Sequence, residues 1–312
     1  MIDGRNNMDN VVYTGINRNN VSTRSSIRSA SASEKGPAPF VKVLARRALL
    51  LLAAAYMLFP FYWMVSSALK AKEDVFKFPP DIIPVTANWS IFYETLRDAP
   101  FLLYIFNSSI TAFAIVLFQI FNSALFSYVL TQFEFRGKKM LFAIIMGTYM
   151  LPAAATYVPG YIILSRLGLV NSYAGLIVSN CVSIFSVFLV RQAFLQVNRS
   201  ILESAKIDGA SHWWILWRVM VPLTRPTFIS LALITFVSNY NNYMWPSLII
   251  KKPELYLVTI GLKQFFIEGG AYGIKWPQVM AACTITVLPL VLLYVFFQKF
   301  LVRGISDSGV KG

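Results

Sequence analysis

Charge is scarce in this chain, and acidic charge is scarcer still. Of 312 residues only 13% are charged, with 14 Asp and Glu against 28 Lys and Arg, while 56% are hydrophobic. So little charge cannot coat a soluble globule of this size. A mean hydropathy of +0.58 places the chain among integral membrane proteins. There is one histidine, His212, and there are two cysteines, Cys181 and Cys283. A lone histidine without a Cys/His cluster builds no metal site, and His212 reads as loop surface. Both cysteines fall inside apolar runs and read as small buried thiols, although a disulfide between them stays open on sequence grounds.

Other absences narrow the chemistry. No G-x-x-x-x-G-K-S/T run occurs, so the chain carries no P-loop for ATP. No Asp, Glu or Lys lies in the middle of an apolar run, where a proton- or sodium-driven carrier usually holds one. Arg191 and Lys299 fall near run ends, within snorkelling distance of water. The net charge of +14 is spread over loops, with no basic aromatic stripe, which argues against a nucleic-acid partner.

What the sequence does have is long hydrophobic runs, at about 48–69, 101–133, 140–164, 173–194, 227–250 and 279–301. They predict an all-α polytopic membrane protein with six transmembrane helices in a lipid bilayer. The second run exceeds what a bilayer needs, so it tilts or extends into water. Pro152 and Pro159-Gly160 predict kinks in the third. The chain divides into a flexible tail (1–39), a first helix with a polar outer segment (40–100), a five-helix core (101–301) and a short tail (302–312). The N-terminal tail lacks the apolar stretch of a signal peptide. Nineteen of the 28 Lys and Arg fall on the side of both termini and nine on the other, while acidic residues split evenly. By the positive-inside rule, both termini and the segment 201–226 are cytoplasmic.

That segment, ILESAKIDGASHWWILWRVMVPLTRP, reads as two short amphipathic helices rather than a loop. In the first, Leu202, Ala205 and Ile207 alternate with Glu203, Lys206 and Asp208. Gly209 supplies a turn at positive φ. Ser211 caps the second helix, where Trp213, Trp214, Leu216 and Trp217 cluster. Pro222 and Pro226 mark re-entry into the membrane. Interfacial anchoring explains some tryptophans but not Asp-Gly-Ala followed by two spaced prolines.

This stretch resembles the EAA loop of the membrane subunits of binding-protein-dependent ABC importers, whose pattern is roughly E-A-A-x-x-D-G-A with a proline downstream. Glu203, Ala205, Asp208, Gly209, Ala210, Pro222 and Pro226 fit; Ser204, Leu216 and Val221 depart conservatively. The resemblance covers the chain from about Ala48 onward and looks close to the carbohydrate branch, the smaller six-span permease of maltose-type systems. Phe78-Pro79-Pro80-Asp81, Phe135-Arg136-Gly137-Lys138, Gly168-Leu169-Val170-Asn171-Ser172 and Gly309-Val310-Lys311-Gly312 are similar to that branch. Tyr240-Asn241-Asn242-Tyr243-Met244-Trp245-Pro246 is similar to its W-N-D/E-F/Y-L-W-P, with Tyr240 and Asn242 as departures.

The resemblance implies a permease of the bacterial inner membrane that is not itself an enzyme. Its implied partners are a second homologous permease subunit, two ATPase subunits that hold the ATP and Mg, and an extracytoplasmic solute-binding protein delivering a sugar. This chain then needs no cofactor or metal of its own. The 201–226 segment becomes the coupling element, with Glu203, Ala205, Asp208, Gly209, Ala210, Trp213, Leu216 and Pro222 as residues facing or supporting the ATPase. A sugar path needs aromatic faces and neutral amides, which makes Asn239, Tyr240, Asn241, Asn242 and Tyr243 candidates, with Asn180 as a further one. The same residues could instead join helices by hydrogen bonds, and Trp245 reads as interfacial belt or packing.

Overall fold

The computed structural model describes residues 39–268 and 275–309, with side chains for 42–267 and 275–298. The expected tail at 1–39 lies outside the described residues except for Pro39, as do residues 310–312. Among the described residues every regular element is a helix. Three are long and apolar enough to cross a bilayer: α1 (Pro39–Leu69), α3 (Phe101–Gln132) and α13 (Trp276–Gly309). Between α1 and α3 lies the short α2 (Ser90–Asp98).

The other crossings are bent pairs. α4 (Lys138–Tyr149) and α5 (Ala153–Arg166) meet at 98°, α6 (Tyr173–Asn180) and α7 (Ile184–Leu195) at 44°. After α8 (Arg199–Ile207), α9 (His212–Leu223) and α10 (Arg225–Tyr240) meet at 80°. By length and composition this gives three to six spans, six if each bent pair is one span, in keeping with the expected all-α polytopic fold. Among the described residues, α11 (Met244–Ile249) and α12 (Val258–Glu268) precede α13.

Several expected boundaries move. The third run breaks at Met150–Pro152, whereas Pro159 stays inside α5. Pro152 is compatible with the position just before a helix, where the missing N–H costs nothing. The fourth run breaks after Asn180. The fifth ends at Tyr240 instead of running to 250, and the helix of the sixth begins at Trp276 and continues past 301 to Gly309.

The chain divides into two compact units within α1, between Leu58 and Phe59. The described part of the first unit is a helix exposed on every side, with Leu51 70% and Tyr56 77% exposed. An apolar helix uncovered all round is a lipid-facing span.

The second unit is organised on α3, which at 1.5 Å per residue is about 48 Å long. Its buried stripe runs Asn107, Thr111, Ile115, Gln119, Ser123 and Ser127, every fourth residue, with Ser108, Ala112, Val116 and Ala124 beside it. Phe106, Phe113, Leu117 and Phe121 point outward. The helix is therefore polar and small inside and apolar outside, which suits a partner helix on one face and lipid on the other.

The polar stripe also explains how broken helices survive here. Gln119 Nε2 donates to the Asn180 carbonyl (2.7 Å) and Asn122 Nδ2 to the Cys181 carbonyl (2.9 Å), at the α6–α7 break. Gln119 Oε1 accepts from Ser186 Oγ of α7 and Thr235 Oγ1 of α10. Freed backbone groups at membrane depth need such protein partners. At the other end of α3, Asn107 donates to the Glu254 and Tyr256 carbonyls, and Ser108 Oγ accepts from Val258 N–H. Cys181 and Cys283 are unpaired and half-buried, which closes the disulfide alternative.

Candidate functional site

The knob between α7 and α10 is built from two helices held at a fixed angle. Asn198 caps α8, its side chain accepting from Ser200 N–H at 3.0 Å. α8 ends in a Schellman arrangement: Ala210 N–H reaches the Ala205 carbonyl and Gly209 N–H the Lys206 carbonyl, both at 3.0 Å. Gly209 has φ +78°, so the turn itself favours glycine. A Cβ there would meet nothing within 4 Å. Backbone conformation, and no close packing within this chain, fixes the residue type.

Ser211 then caps α9, accepting from Trp214 N–H at 3.3 Å as expected. Over Ile215–Met220 the helix widens into a π turn, a feature that recurs at functional sites. Pro222 lies inside the helical Val221–Leu223 segment that follows. The helical path breaks at Thr224, and α10 starts at Arg225 with Pro226 in its first turn.

The knob has two faces. Leu202, Ile215, Leu216 and Met220, each at most 4% exposed, join Ala124 and Tyr128 of α3, Val190 and Phe194 of α7, and Phe228 and Leu231 of α10. Ala205 and Ala210 are half-buried against the same cluster. Glu203, Lys206, Ile207, Asp208, Gly209, Trp213 and Pro222 are exposed. Leu216 therefore supports the knob from within and presents no surface to a partner. Glu203 and Lys206 border a hollow of about 240 Å³ against the end of α3.

His212 is exposed, as expected of the loop surface, and also has its Nδ1 2.9 Å from the Tyr128 hydroxyl and its ring 4.7 Å from that of Phe133. It ties α9 to the end of α3. Nothing in the local sequence signals this, because Tyr128 is 84 residues away. Trp217 stacks on Phe121 at 5.8 Å and meets Trp213 edge-on.

The candidate sugar-path residues gather at the far end of α10, where they divide by environment. Tyr240 is 1% exposed, donates to the Thr286 carbonyl at 3.0 Å and sits in a cluster with Phe101 and Val258. It packs and hydrogen-bonds between helices, the second of the two readings given for these residues. Asn239 and Asn180 donate to carbonyls of their own helices, Thr235 and Leu176, each at 2.8 Å. Neither is forced to seek a cavity partner.

Asn241, Asn242 and Tyr243 fall in the gap between α10 and α11, not inside a span. Asn241 is exposed. The Asn242 carbonyl accepts from Thr259 Oγ1, and the Tyr243 hydroxyl accepts from Lys263 Nζ. Trp245, 8% exposed, stacks on Tyr157, donates to Ser179 Oγ at 2.9 Å and lies where a Cβ on Gly160 would be 2.9 Å away. Of the two readings of Trp245, packing is the observed one.

Comparison with known proteins agrees with this geometry. Residues 46–307 match the family described as binding-protein-dependent transport system inner membrane component. The chain is 32% identical over 266 residues to the sn-glycerol-3-phosphate transport system permease protein UgpE of Yersinia enterocolitica, covering 83% of this chain and 94% of that protein. It is 34% identical, with the same coverage, to UgpE of Salmonella typhi. Among solved structures, a bacterial ABC transporter involved in the import of the acidic polysaccharide alginate aligns with a TM-score of 0.72 at 22% identity, over 85% of this chain and 98% of that one. A second alginate ABC transporter structure, in complex with its pentasaccharide-bound periplasmic protein, aligns at a TM-score of 0.59 and 17% identity, over 81% and 92%. The chain belongs to the family of binding-protein-dependent transport system inner membrane components.

Proposed function

We propose that the chain is the permease subunit of an ATP-driven ABC importer that takes up a carbohydrate, an oligosaccharide, delivered by an extracytoplasmic binding protein. A second, homologous permease subunit completes the path. Two separate ATPase subunits hold ATP and Mg, so this chain catalyses nothing itself. The knob lies on the cytoplasmic side together with both termini.

One observation carries the reading: an exposed Glu203–Asp208–Gly209 edge mounted on a core shared by α3, α7 and α10. A push on that edge cannot be absorbed locally, because the same buried side chains belong to the membrane helices. Packed cores switch between discrete arrangements rather than deforming continuously. ATP binding closes the ATPases on the knob, and the α9–α10 elbow turns that closure into movement of α10 towards an outward-facing state. Hydrolysis resets it. The sugar meets the path near Asn241 and Tyr243, the exposed and half-buried members of the outer group.

The test is site-directed labelling of Asp208→Cys in intact cells and in inverted vesicles. The reading expects an impermeant thiol reagent to react only in inverted vesicles, and a cross-linker at the same position to capture an ATPase subunit. Reaction in intact cells would place the knob outside, where no ATPase can reach it. Cargo class is tested by ATPase stimulation with a panel holding oligosaccharides and, because the relatives are named for it, sn-glycerol-3-phosphate.

A further inference from the structure

A second hollow lies at the same end of the bundle as the knob, between the end of α3, the start of α4 and the last turns of α7. It measures about 660 Å³ and is bordered by Arg191, Lys138, Lys139, Glu134, Met140 and Phe142. The Arg191 guanidinium lies over the Phe142 ring at 4.1 Å, and its buried Nε has no hydrogen-bond partner. Lys138 is committed to Glu134 (3.1 Å) and to the Phe133 carbonyl (2.9 Å). That leaves Arg191 and Lys139 as charge without an opposite, since Glu134 is the one carboxylate among the described residues on the border. α4 begins beside them at Gly137 without any side-chain cap, so its positive end adds to the field.

The hollow opens onto apolar surface. Met140 is 69% exposed, Leu141 44% and Ile144 53%, all on α4. A cationic recess continuous with a lipid-facing helix matches an amphiphile bearing a phosphate and an acyl chain. Basic recesses between membrane helices bind such headgroups.

We propose that this hollow is a binding site for the phosphate headgroup of an anionic phospholipid, held by Arg191 and Lys139 with its acyl chain along α4. The lipid belongs to the cytoplasmic leaflet, a detail that rests on the orientation given above. The site itself does not, because lipid retention by purified protein is blind to sidedness. Failure of one reading therefore leaves the other standing.

The test is native mass spectrometry of the full-length chain, with whatever subunits accompany it, titrated with phosphatidylglycerol or phosphatidylcholine of equal chain length. One phosphatidylglycerol should be retained in preference to phosphatidylcholine. Each basic group near a membrane surface is worth roughly fivefold in affinity, so Arg191→Gln with Lys139→Gln should weaken retention roughly 25-fold. Lys139→Glu, on an exposed side chain that cannot disturb folding, should weaken it comparably by reversing one charge, and Arg191→Lys should keep most of it. Arg97→Gln, in α2, should change nothing. Equal retention of both lipids, no loss in Lys139→Glu, an equal loss in Arg97→Gln, or displacement of the lipid by millimolar inorganic phosphate would each overturn the proposal.

Discussion

Two polar interruptions flank α10, and they are built in opposite ways. The knob before it buries four large apolar side chains and turns its charges outward; the gap after it lies between two buried rings, Tyr240 and Trp245, with Asn242 and Tyr243 half-buried and Asn241 exposed. The knob shares its apolar core with α3, α7 and α10, so a displacement of it is felt by all three helices. The gap after α10 is a junction: Tyr240 and Trp245 pin its two ends to α13, α5 and α6, Asn242 and Tyr243 are tied to α12 through Thr259 and Lys263, and Asn241 is left exposed. The difference teaches that polar residues next to a span carry no fixed meaning. What matters is which side of the local helix the apolar residues occupy.

The largest effect that could break this contrast comes from Gly209. At φ +78° a non-glycine residue pays about 1–2 kcal/mol, yet the space around a new Cβ is open. Gly209→Asp should therefore insert and fold, while adding bulk and charge to the exposed edge. Uptake of labelled sugar into proteoliposomes should fall to background while ATP hydrolysis continues. Gly209→Asn, which tolerates the left-handed region, should keep most uptake. If both variants transport normally, the edge is not where force enters.

Next comes the division between the knob's faces. Leu216→Ala empties a buried site and should cost about 2–4 kcal/mol, read as a lower unfolding temperature in detergent. Glu203→Ala, at the surface, should stay within about 0.5 kcal/mol but impair coupling of ATP hydrolysis to uptake. Equal thermal shifts for the two would remove the distinction between support and contact.

Much of this is legible in the sequence, for reasons that differ by region. The knob's Schellman glycine, the Ser211 cap and the six crossings follow from local signals: a residue free to take positive φ, an N-cap and apolar length. α3 shows what is hidden. Its buried face is the polar one, so the habit of looking for an apolar stripe points at lipid instead of the core. Gln119 escapes notice for that reason, although it reaches α6, α7 and α10. The early end of α10 is masked for another reason: Ser238, Asn239, Asn241 and Asn242 form a polar dip, but apolar residues resume at Tyr243 and make 227–250 read as one run. His212 and Tyr128 meet only through the tertiary fold.

Gln119 offers a smaller test of the frame common to both interruptions. Gln119→Leu keeps the volume but removes the donor to the Asn180 carbonyl and the acceptor for Ser186 and Thr235. Interhelical hydrogen bonds in membranes average about 0.6 kcal/mol and reach about 1.7. Because the substitution removes all three hydrogen bonds, a destabilisation of about 1–2 kcal/mol is expected by that average, measured by unfolding in mixed detergent. Indifference would mean that the α6–α7 break is held by apolar packing instead.

The smallest expected effect is also the one that best separates packing from recognition at the outer gap. Tyr240→Phe deletes only the hydroxyl that donates to Thr286, at a cost of about 0.6 kcal/mol by the same average. Because the ring is enclosed, the KM for sugar uptake should not move. Asn241→Ala removes an exposed amide whose loss leaves no core cavity, so stability should hold while KM rises. The pair is informative because the two residues are adjacent in sequence and opposite in environment. A rise in KM for Tyr240→Phe with none for Asn241→Ala would mean that the ring leaves the core during transport. The sugar path would then run through the helix junction rather than past it.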